Sequence, residues 1–239
     1  MKPVLGVLGG MGPAATVLFL DRLVSFSTAS VDQNHLKSVT VMNCDIPDRS
    51  SAISRNDDGP LIAMIEGIAS LEKVGVDFIA IPCNTAMYWF EKLSDFSSVP
   101  ILNIVTETGN VMRDAGLHSV HLWGTYGTYH YGIYKRYLSA LNIEVIPHSS
   151  RIQSMLDEII LSVKRGQVTG FRDRLAEPMD HLSKYDLGTP VLLACTEFSV
   201  VFQNESIGVV YVDSSDCLAL RCLAFANVEH IAPEWLVQL

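Results

Sequence analysis

The stretch FIAIPCNTA (residues 78–86) passes from an apolar run to a cysteine, an amide and a hydroxyl, and VLLACTEFS (191–199) has a similar order. A glycine-containing turn precedes each of them, in LGVLGGMGPAAT (5–16) and in VHLWGTYGTYHYG (120–132). The distance from turn to cysteine is nearly the same in both halves. Because two motifs recur in the same order and at one spacing, the sequence predicts an internal duplication and two similar lobes.

Short runs rich in Val, Ile and Leu alternate along the chain with segments of helical periodicity. Nearly continuous apolar runs are typical of parallel strands that are covered on both faces. Alternation of strand and helix predicts an α/β fold with right-handed crossovers. The predicted strands are 3–10, 38–44, 76–83, 99–105, 119–124, 143–147, 189–195 and 207–212, and the predicted helices include 60–74, 150–164, 167–186 and 214–228.

We therefore expect an α/β fold of two similar lobes. Each lobe would hold a mostly parallel four-stranded sheet flanked by helices, and a pseudo-two-fold axis would relate the lobes. Residues 1–100 plus 211–239 would form the first lobe and residues 101–210 the second. Ligand sites in parallel α/β sheets form at the carboxyl ends of the strands, so we expect the site in the cleft between the lobes.

Composition narrows the classes of function. The chain has 239 residues, of which 49% are hydrophobic, and this is enough for a large core. Its apolar runs are shorter than the roughly 20 residues that a membrane span requires, and the run near the start is interpreted as a strand rather than as a signal sequence. These features predict a cytoplasmic protein that binds no membrane. A net charge of -9 argues against a nucleic-acid partner.

The five cysteines are an odd number without a CxxC pair, and no histidine lies at zinc-ligand spacing from them. A disulfide framework and a structural metal site are therefore not expected. Cys44 is interpreted as packing in the core or at the edge of a site, and Cys217 and Cys222 as core residues of a terminal helix. Cys83 and Cys195 are different because each ends a predicted strand and begins a predicted helix.

A thiol at the start of a helix is expected to have a lowered pKa, because the positive end of the helix dipole favours the thiolate. Asn84, Thr85 and Thr196 follow the two cysteines and offer donors that suit a carboxylate ligand. If the lobes face each other, Cys83 and Cys195 lie on opposite sides of that ligand. One could remove a proton from carbon while the other delivers a proton to the opposite face, which inverts a stereocentre.

Four segments, in this order along the chain, resemble those of the pyridoxal-phosphate-independent aspartate/glutamate racemase family, and specifically its aspartate racemase branch. The segments are LGGMGPAAT (8–16), NCDIPDRS (43–50), IPCNTAMYWF (81–90) and ACTEF (194–198). Glutamate racemases typically carry an Asp-Ser pair where this chain has Met11-Gly12, and a His where it has Glu197. From its position alone, Glu197 is interpreted as a first-turn glutamate that the helix dipole stabilises.

The resemblance implies that Cys83 and Cys195 are the two catalytic bases, that no cofactor is needed, and that the protein is a homodimer. Its substrate would be a small amino acid or a dicarboxylate. Arg49 would bind the side-chain carboxylate, which a guanidinium can grip with two hydrogen bonds. The resemblance also implies which residues bind the substrate, and these include the donors for the α-carboxylate. They are Gly10, Met11, Arg49, Asn84, Thr85, Thr125, Lys164 and Thr196.

Two departures from the family pattern keep alternatives open. The family usually has a His where this chain has Met87, and often a Gly where it has Ala194. A decarboxylase on the same scaffold characteristically keeps one of the two cysteines, whereas a dicarboxylate cis–trans isomerase can keep both. A non-catalytic protein that binds an amino acid or dicarboxylate is the remaining alternative, and Met87 is the feature that favours it.

Overall fold

The structure is a computed structural model that describes residues 2–185, 188–237 and 239. All eight predicted strands are present, although most are shorter than the apolar runs that indicated them. The strands are β1 (Leu5–Gly9), β2 (Ser38–Met42), β3 (Phe78–Ala80), β4 (Ile101–Leu102), β5 (Ser119–Gly124), β6 (Glu144–Ile146), β7 (Val191–Ala194) and β8 (Tyr211–Asp213).

Helices connect the strands, and two short 3₁₀ helices occur at Asp32–Asn34 and Thr85–Trp89. The α-helices are α1 (Pro13–Ser25), α2 (Arg49–Ser54), α3 (Gly59–Lys73), α4 (Phe90–Phe96), α5 (Ile104–Asp114), α6 (Tyr126–His130), α7 (Ile133–Ala140), α8 (Ser150–Lys164), α9 (Arg172–Leu182), α10 (Thr196–Asn204), α11 (Ser214–Phe225) and α12 (Glu234–Val237). Across the described residues, no helix is long and apolar enough to cross a membrane.

The two sheets have the same strand order, β2-β1-β3-β4 in one and β6-β5-β7-β8 in the other. Every strand pair in both sheets is parallel. The predicted fold class is thereby confirmed: two four-stranded parallel sheets, each flanked by helices. In each sheet the strand before the glycine turn lies beside the strand before the cysteine, so the two motifs of each half end at the same edge.

Every strand was expected to be buried on both faces, and this expectation is wrong for β2. Its residues alternate between exposed and half-buried, and Met42 is 42% exposed. β2 is an edge strand with one neighbour, and the central strand β1 is buried along its whole length; edge position alone does not expose a strand, since the edge strand β4 is buried.

Sheet membership also differs from the expected lobe boundaries. β4 (101–102) belongs to the first sheet and β8 (211–213) belongs to the second, so the expected boundaries cut one strand from each sheet. The polypeptide crosses between lobes after each of these strands, and the helices that follow them, α5 and α11, pack against each other. One large core joins residues of both sheets, such as Leu5 and Leu192.

Three of the predicted helices, 60–74, 150–164 and 214–228, correspond to α3, α8 and α11. Their predicted ends differ from the observed ends by at most three residues. The fourth, 167–186, is shorter: α9 begins at Arg172, and residue 186 lies outside the described part of the chain. Gly170 has φ 84°, a left-handed conformation that a continuing α-helix does not allow. The helical pattern in the sequence therefore starts at residue 167, before the residue at which the helix itself begins.

Candidate active site

A small cavity lies where the carboxyl ends of both sheets meet, and it contains both cysteines of the repeated motif. Apart from Gly10, all of the site residues predicted from the sequence line it. The lining residues are Met11, Asp48, Arg49, Ser50, Cys83, Asn84, Thr85, Thr125, Lys164, Cys195, Thr196 and Glu197. Gly10 instead supports the turn beneath Met11: its φ is 97°, and its N–H donates to Thr16 Oγ1 at 3.0 Å.

The cavity is closed in this structure. Its free volume is about 10 Å³, which accommodates about one water molecule. Helices from the two lobes meet at its rim, where the Gly127 N–H donates to Ser50 Oγ at 3.2 Å. An amino acid is much larger than a water molecule, so the cleft must widen before such a ligand can enter.

Cys195 is the N-cap residue of α10, as predicted, but its thiol does not have the expected lowered pKa. Burial raises the pKa of Cys195 well above its usual value, and the negative charge of Glu197 raises it further, while Lys164 acts in the opposite direction. Its Sγ–H donates to Glu197 Oε2 at 2.9 Å. The expectation of an activated thiol is therefore wrong for Cys195, because desolvation and a neighbouring carboxylate outweigh the helix dipole.

Cys83 lies in a different local structure from Cys195. It follows β3, and its N–H donates to the Ile81 carbonyl at 2.7 Å. The segment after it is the 3₁₀ helix Thr85–Trp89, and the α-helix expected there, α4, begins only at Phe90. Cys83 is 5% exposed and Cys195 6% exposed, so both thiols are nearly closed off from solvent.

The Asn84 side chain is held by both lobes. The hydroxyl of Tyr134 donates to Asn84 Oδ1 at 2.6 Å, and Asn84 Nδ2 donates to Ser214 Oγ at 3.0 Å. The Ser214 hydroxyl in turn donates to the Leu193 carbonyl at 2.7 Å. Burial raises the pKa of Tyr134, so its phenol stays protonated and keeps this hydrogen bond. These contacts use one of the two Nδ2 hydrogens of Asn84 and leave the other for a ligand.

Three threonine hydroxyls form a triangle across the cleft. Thr85 Oγ1 lies 2.9 Å from Thr125 Oγ1 and 2.9 Å from Thr128 Oγ1, and the last two are 3.0 Å apart. Thr125 also accepts the backbone N–H of Thr128 as the N-cap of α6. Thr85 and Thr125 were predicted from the sequence, but Thr128 was not, because nothing in its local sequence distinguishes it from an ordinary helix residue. Thr196 also spans the lobes, donating to the Pro82 carbonyl at 3.4 Å.

Two cationic side chains reach the cavity. Arg49 is only 7% exposed: its Nη1 donates to the Ile46 and Pro47 carbonyls and its Nη2 donates to the Met11 carbonyl. Its Nε is buried and has no partner. Lys164 lies at the end of α8, and its Nζ is 3.9 Å from Asp48 Oδ2. Arg49 is thus a fixed cation whose Nε–H has no acceptor among the described residues.

Glu197 is the site residue whose role sequence analysis missed. It lies in the first turn of α10, as expected from its position, but it is 3% exposed and its carboxylate lines the cavity. Its Oε2 accepts the Cys195 thiol, and its Oε1 is buried without a partner. Asp48 and Ser50 were also missed as lining residues; their positions next to Arg49 in the segment NCDIPDRS were the available signal.

The remaining sequence interpretations have mixed outcomes. Cys217 and Cys222 are buried in α11, as predicted, but Cys44 is exposed, so the interpretation of Cys44 as a core residue is wrong. Met87 is buried in the 3₁₀ helix beside the site and lines a neighbouring groove of about 470 Å³ rather than the cysteine cavity. Ala194 is the fully buried last residue of β7.

Comparison with known proteins agrees with this architecture. Residues 8–222 match the family described as Asp/Glu/Hydantoin racemase. The chain is 30% identical over 223 residues to the Bacillus subtilis (strain 168) protein named Broad specificity amino-acid racemase RacX, and the match covers 90% of this chain and 95% of the relative.

Solved structures extend the similarity to the whole fold. Picrophilus torridus aspartate racemase is 32% identical with a TM-score of 0.87, and the match covers 99% of this chain and 100% of that one. Glutamate racemase from Francisella tularensis subsp. tularensis SCHU S4, solved with D-glutamate, is 15% identical with a TM-score of 0.63 over 98% of this chain and 84% of that one, a likeness of fold alone. This chain is therefore an isomerase that belongs to the Asp/Glu/hydantoin racemase family.

Proposed function

We propose that the protein interconverts the L and D forms of an acidic amino acid, aspartate in the first place, by a two-base reaction that needs no cofactor. The observation that supports this most directly is that Cys83 and Cys195 line one closed cavity and come from different lobes. A ligand between the lobes would present one face of its α-carbon to each thiol. Two acid/base groups so arranged suit inversion of a stereocentre.

The reaction balances within these residues and the substrate. One cysteine, as thiolate, takes the proton from the α-carbon, and the electron pair of the broken C–H bond delocalises into the α-carboxylate. The other cysteine, as thiol, gives its proton to the opposite face, and that electron pair forms the new C–H bond. The product leaves with inverted configuration, and the two cysteines have exchanged thiol and thiolate states.

Fixed donors would hold the α-carboxylate and stabilise the charge that develops on it. Asn84, Thr85 and Thr125 take part in hydrogen bonds that cross between the lobes, so closure of the cleft on the substrate would bring these donors together around its α-carboxylate. Thr196 adds a further hydroxyl on the side of Cys195. Preorganised donors of this kind supply a large share of the rate enhancement in many enzymes.

Arg49 and Lys164 favour a substrate with an acidic side chain. The unpartnered Nε of Arg49 is buried, and a carboxylate placed against it would supply the missing acceptor. The similarity to Picrophilus aspartate racemase supports aspartate, while the name of the Bacillus relative describes a broad specificity. We therefore expect aspartate to be the best substrate and glutamate to be the next candidate.

The deciding experiment follows racemisation of each proteinogenic amino acid by chiral chromatography in deuterium oxide, with maleate as a further substrate. We expect L- and D-aspartate to interconvert with uptake of α-deuterium. Cys83→Ser and Cys195→Ser should each stop racemisation. Cys44→Ser is the matched control, since Cys44 is exposed and outside the cavity, and it should have full activity. Full turnover by the Cys83→Ser/Cys195→Ser double variant, or isomerisation of maleate without racemisation, would contradict the proposal.

A further inference from the structure

Glu197 and Cys195 form the most unusual contact in the cavity. The thiol donates to Glu197 Oε2 at 2.9 Å, which is short for a hydrogen bond from sulfur, and both residues are more than nine-tenths buried. The other carboxylate oxygen, Oε1, has no partner although it is fully enclosed. A buried carboxylate with a missing hydrogen bond is costly, so a role other than packing is needed to explain it.

Gly12 provides the space that this carboxylate occupies. A Cβ added at Gly12 would lie 2.8 Å from Glu197 Oε1, closer than non-bonded atoms of this kind approach. The backbone of Gly12 is extended, with φ -110° and ψ 165°, so its conformation does not itself require glycine. A larger residue at this position would therefore have to displace the carboxylate of Glu197.

The charges around Cys195 come from several elements. Glu197 belongs to α10, Lys164 ends α8, and Asp48 and Arg49 are at the start of α2, while Cys83 lies across the cavity. Lys164 lowers the pKa of Cys195, but burial and the Glu197 carboxylate together raise it well above its usual value. Lys164 is also shared with Asp48, at 3.9 Å.

We propose that Glu197 is a positioning residue that keeps Cys195 in the thiol form in the free enzyme, and that Gly12 makes room for it. The catalytic consequence rests on the two-base function proposed above. With Cys195 protonated, the free enzyme starts with Cys195 as proton donor and Cys83 as proton acceptor. Once Cys195 has given its proton to the substrate, its thiolate lies beside the Glu197 carboxylate, and repulsion between the two anions favours the return of a proton to Cys195.

The first test measures protonation of Cys195 without any turnover. Protein labelled with 13C at the cysteine Cβ is titrated by NMR, and the Cys195 signal is identified by its loss in Cys195→Ser. We expect Cys195 in Glu197→Gln to lose its proton about one pH unit or more below the wild type, because a like charge within hydrogen-bonding distance has been removed. Glu197→Asp keeps the charge and should remain near the wild type. An unchanged midpoint in Glu197→Gln would overturn the proposal.

A double-mutant cycle tests the part played by Gly12. Gly12→Ala should displace the Glu197 carboxylate and lower the Cys195 midpoint in the same direction as Glu197→Gln. In a Glu197→Ala background, where no carboxylate remains to displace, the same change at Gly12 should leave the midpoint where it is. If Gly12→Ala shifts the midpoint equally in both backgrounds, then Gly12 acts independently of Glu197, and that part of the inference is wrong.

The second test uses the pH profile of kcat/KM for aspartate. Activity requires one thiolate and one thiol in the free enzyme, so loss of the Cys195 proton ends activity on the alkaline side of a bell-shaped profile. In Glu197→Gln this alkaline limb should move to lower pH, and in Glu197→Asp it should return toward the wild type. A uniform loss of activity with no movement of the limb would indicate a merely structural role for Glu197. Since the NMR titration needs no turnover, a protein that racemises nothing would contradict the proposed function and still allow the protonation of Cys195 to be measured.

Discussion

The Gly127 N–H donates to Ser50 Oγ at 3.2 Å, and this hydrogen bond joins α6 of one lobe to α2 of the other at the rim of the cysteine cavity. The approach is so close that a Cβ on Gly127 would lie 2.6 Å from Ser50 Oγ. The same two helices carry other parts of the site, Arg49 at the start of α2 and Thr125 as the cap of α6. Closing this contact therefore brings the side-chain cation and the threonine hydroxyls together.

We expect Gly127→Ala to hinder this closure. The added methyl group must push α2 away from α6, which would move Arg49 and Thr125 apart and lower kcat/KM for aspartate about tenfold or more, since misplacement of about 1 Å can cost up to a hundredfold. Thermal stability should fall only modestly, because the better helix propensity of alanine offsets part of the cost of overpacking this contact. Steady-state kinetics and a thermal melt measure the two quantities.

The control for this prediction removes the nearest atom that the new methyl group would meet. Ser50→Ala deletes the Oγ at 2.6 Å but keeps the Cα at 3.0 Å and the Cβ at 3.1 Å, so the Gly127→Ala/Ser50→Ala double variant should recover only part of the lost activity. A Gly127→Ala enzyme with wild-type kcat/KM would mean that closure of α2 on α6 is not needed for turnover.

Arg49→Lys should weaken binding of an acidic substrate. A lysine cannot replace the three hydrogen bonds that Arg49 makes to backbone carbonyls and also keep a further N–H donor for the substrate, because an ammonium group has three N–H donors in all. Loss of a charge-assisted hydrogen bond costs about 1.5–3 kcal/mol, which corresponds to a kcat/KM for aspartate lowered about 10- to 150-fold, mostly through KM.

Arg55→Lys is the matched control, because Arg55 is exposed and its pairing with Asp57 on the surface contributes little. Its kinetics should equal those of the wild type. If Arg49→Lys raises KM equally for aspartate and for a neutral amino acid, then Arg49 does not bind the side-chain carboxylate of the substrate.

Asp213, behind the site, should make the free energy of unfolding depend on pH. Burial and the nearby charge of Asp216 raise the pKa of Asp213 to about 7, while in the unfolded chain it titrates near 4. Between these pH values the folded protein holds a proton that the unfolded chain has lost, so the free energy of unfolding falls as pH rises. Urea unfolding from pH 4 to pH 8 measures this dependence.

Asp213→Asn removes the titration and keeps an oxygen that can accept the cap hydrogen bond from the Ser215 N–H. The decline in stability between pH 4 and pH 7 should then be smaller than in the wild type. Equal slopes in the two proteins would mean that Asp213 does not carry the proton, and Asp216, whose pKa is also raised by burial, would be the residue to examine next.

Much of the fold could be predicted because its signals are local. An apolar run such as PVLLAC (190–195) predicts a buried strand wherever it lies, and the repeat of two motifs predicted two sheets of one design. The limits of β2 and α9 could not be predicted in the same way. Exposure of β2 depends on which elements pack around it, and the start of α9 depends on the left-handed backbone at Gly170.

The sequence by itself determined the α/β architecture and the positions of Cys83 and Cys195 at strand ends, because both follow from the order of residues along one strand and the turn after it. The resemblance to the racemase family implied further residues of the cavity, such as Arg49 and Lys164. Only the tertiary structure decided three contacts of the site. Glu197 accepts a hydrogen bond from the Cys195 thiol, Thr128 completes a triangle of hydroxyls, and Ser50 accepts a hydrogen bond from the Gly127 N–H. The physical reason is that hydrogen bonding and desolvation depend on distances between atoms, and packing of separate elements sets those distances.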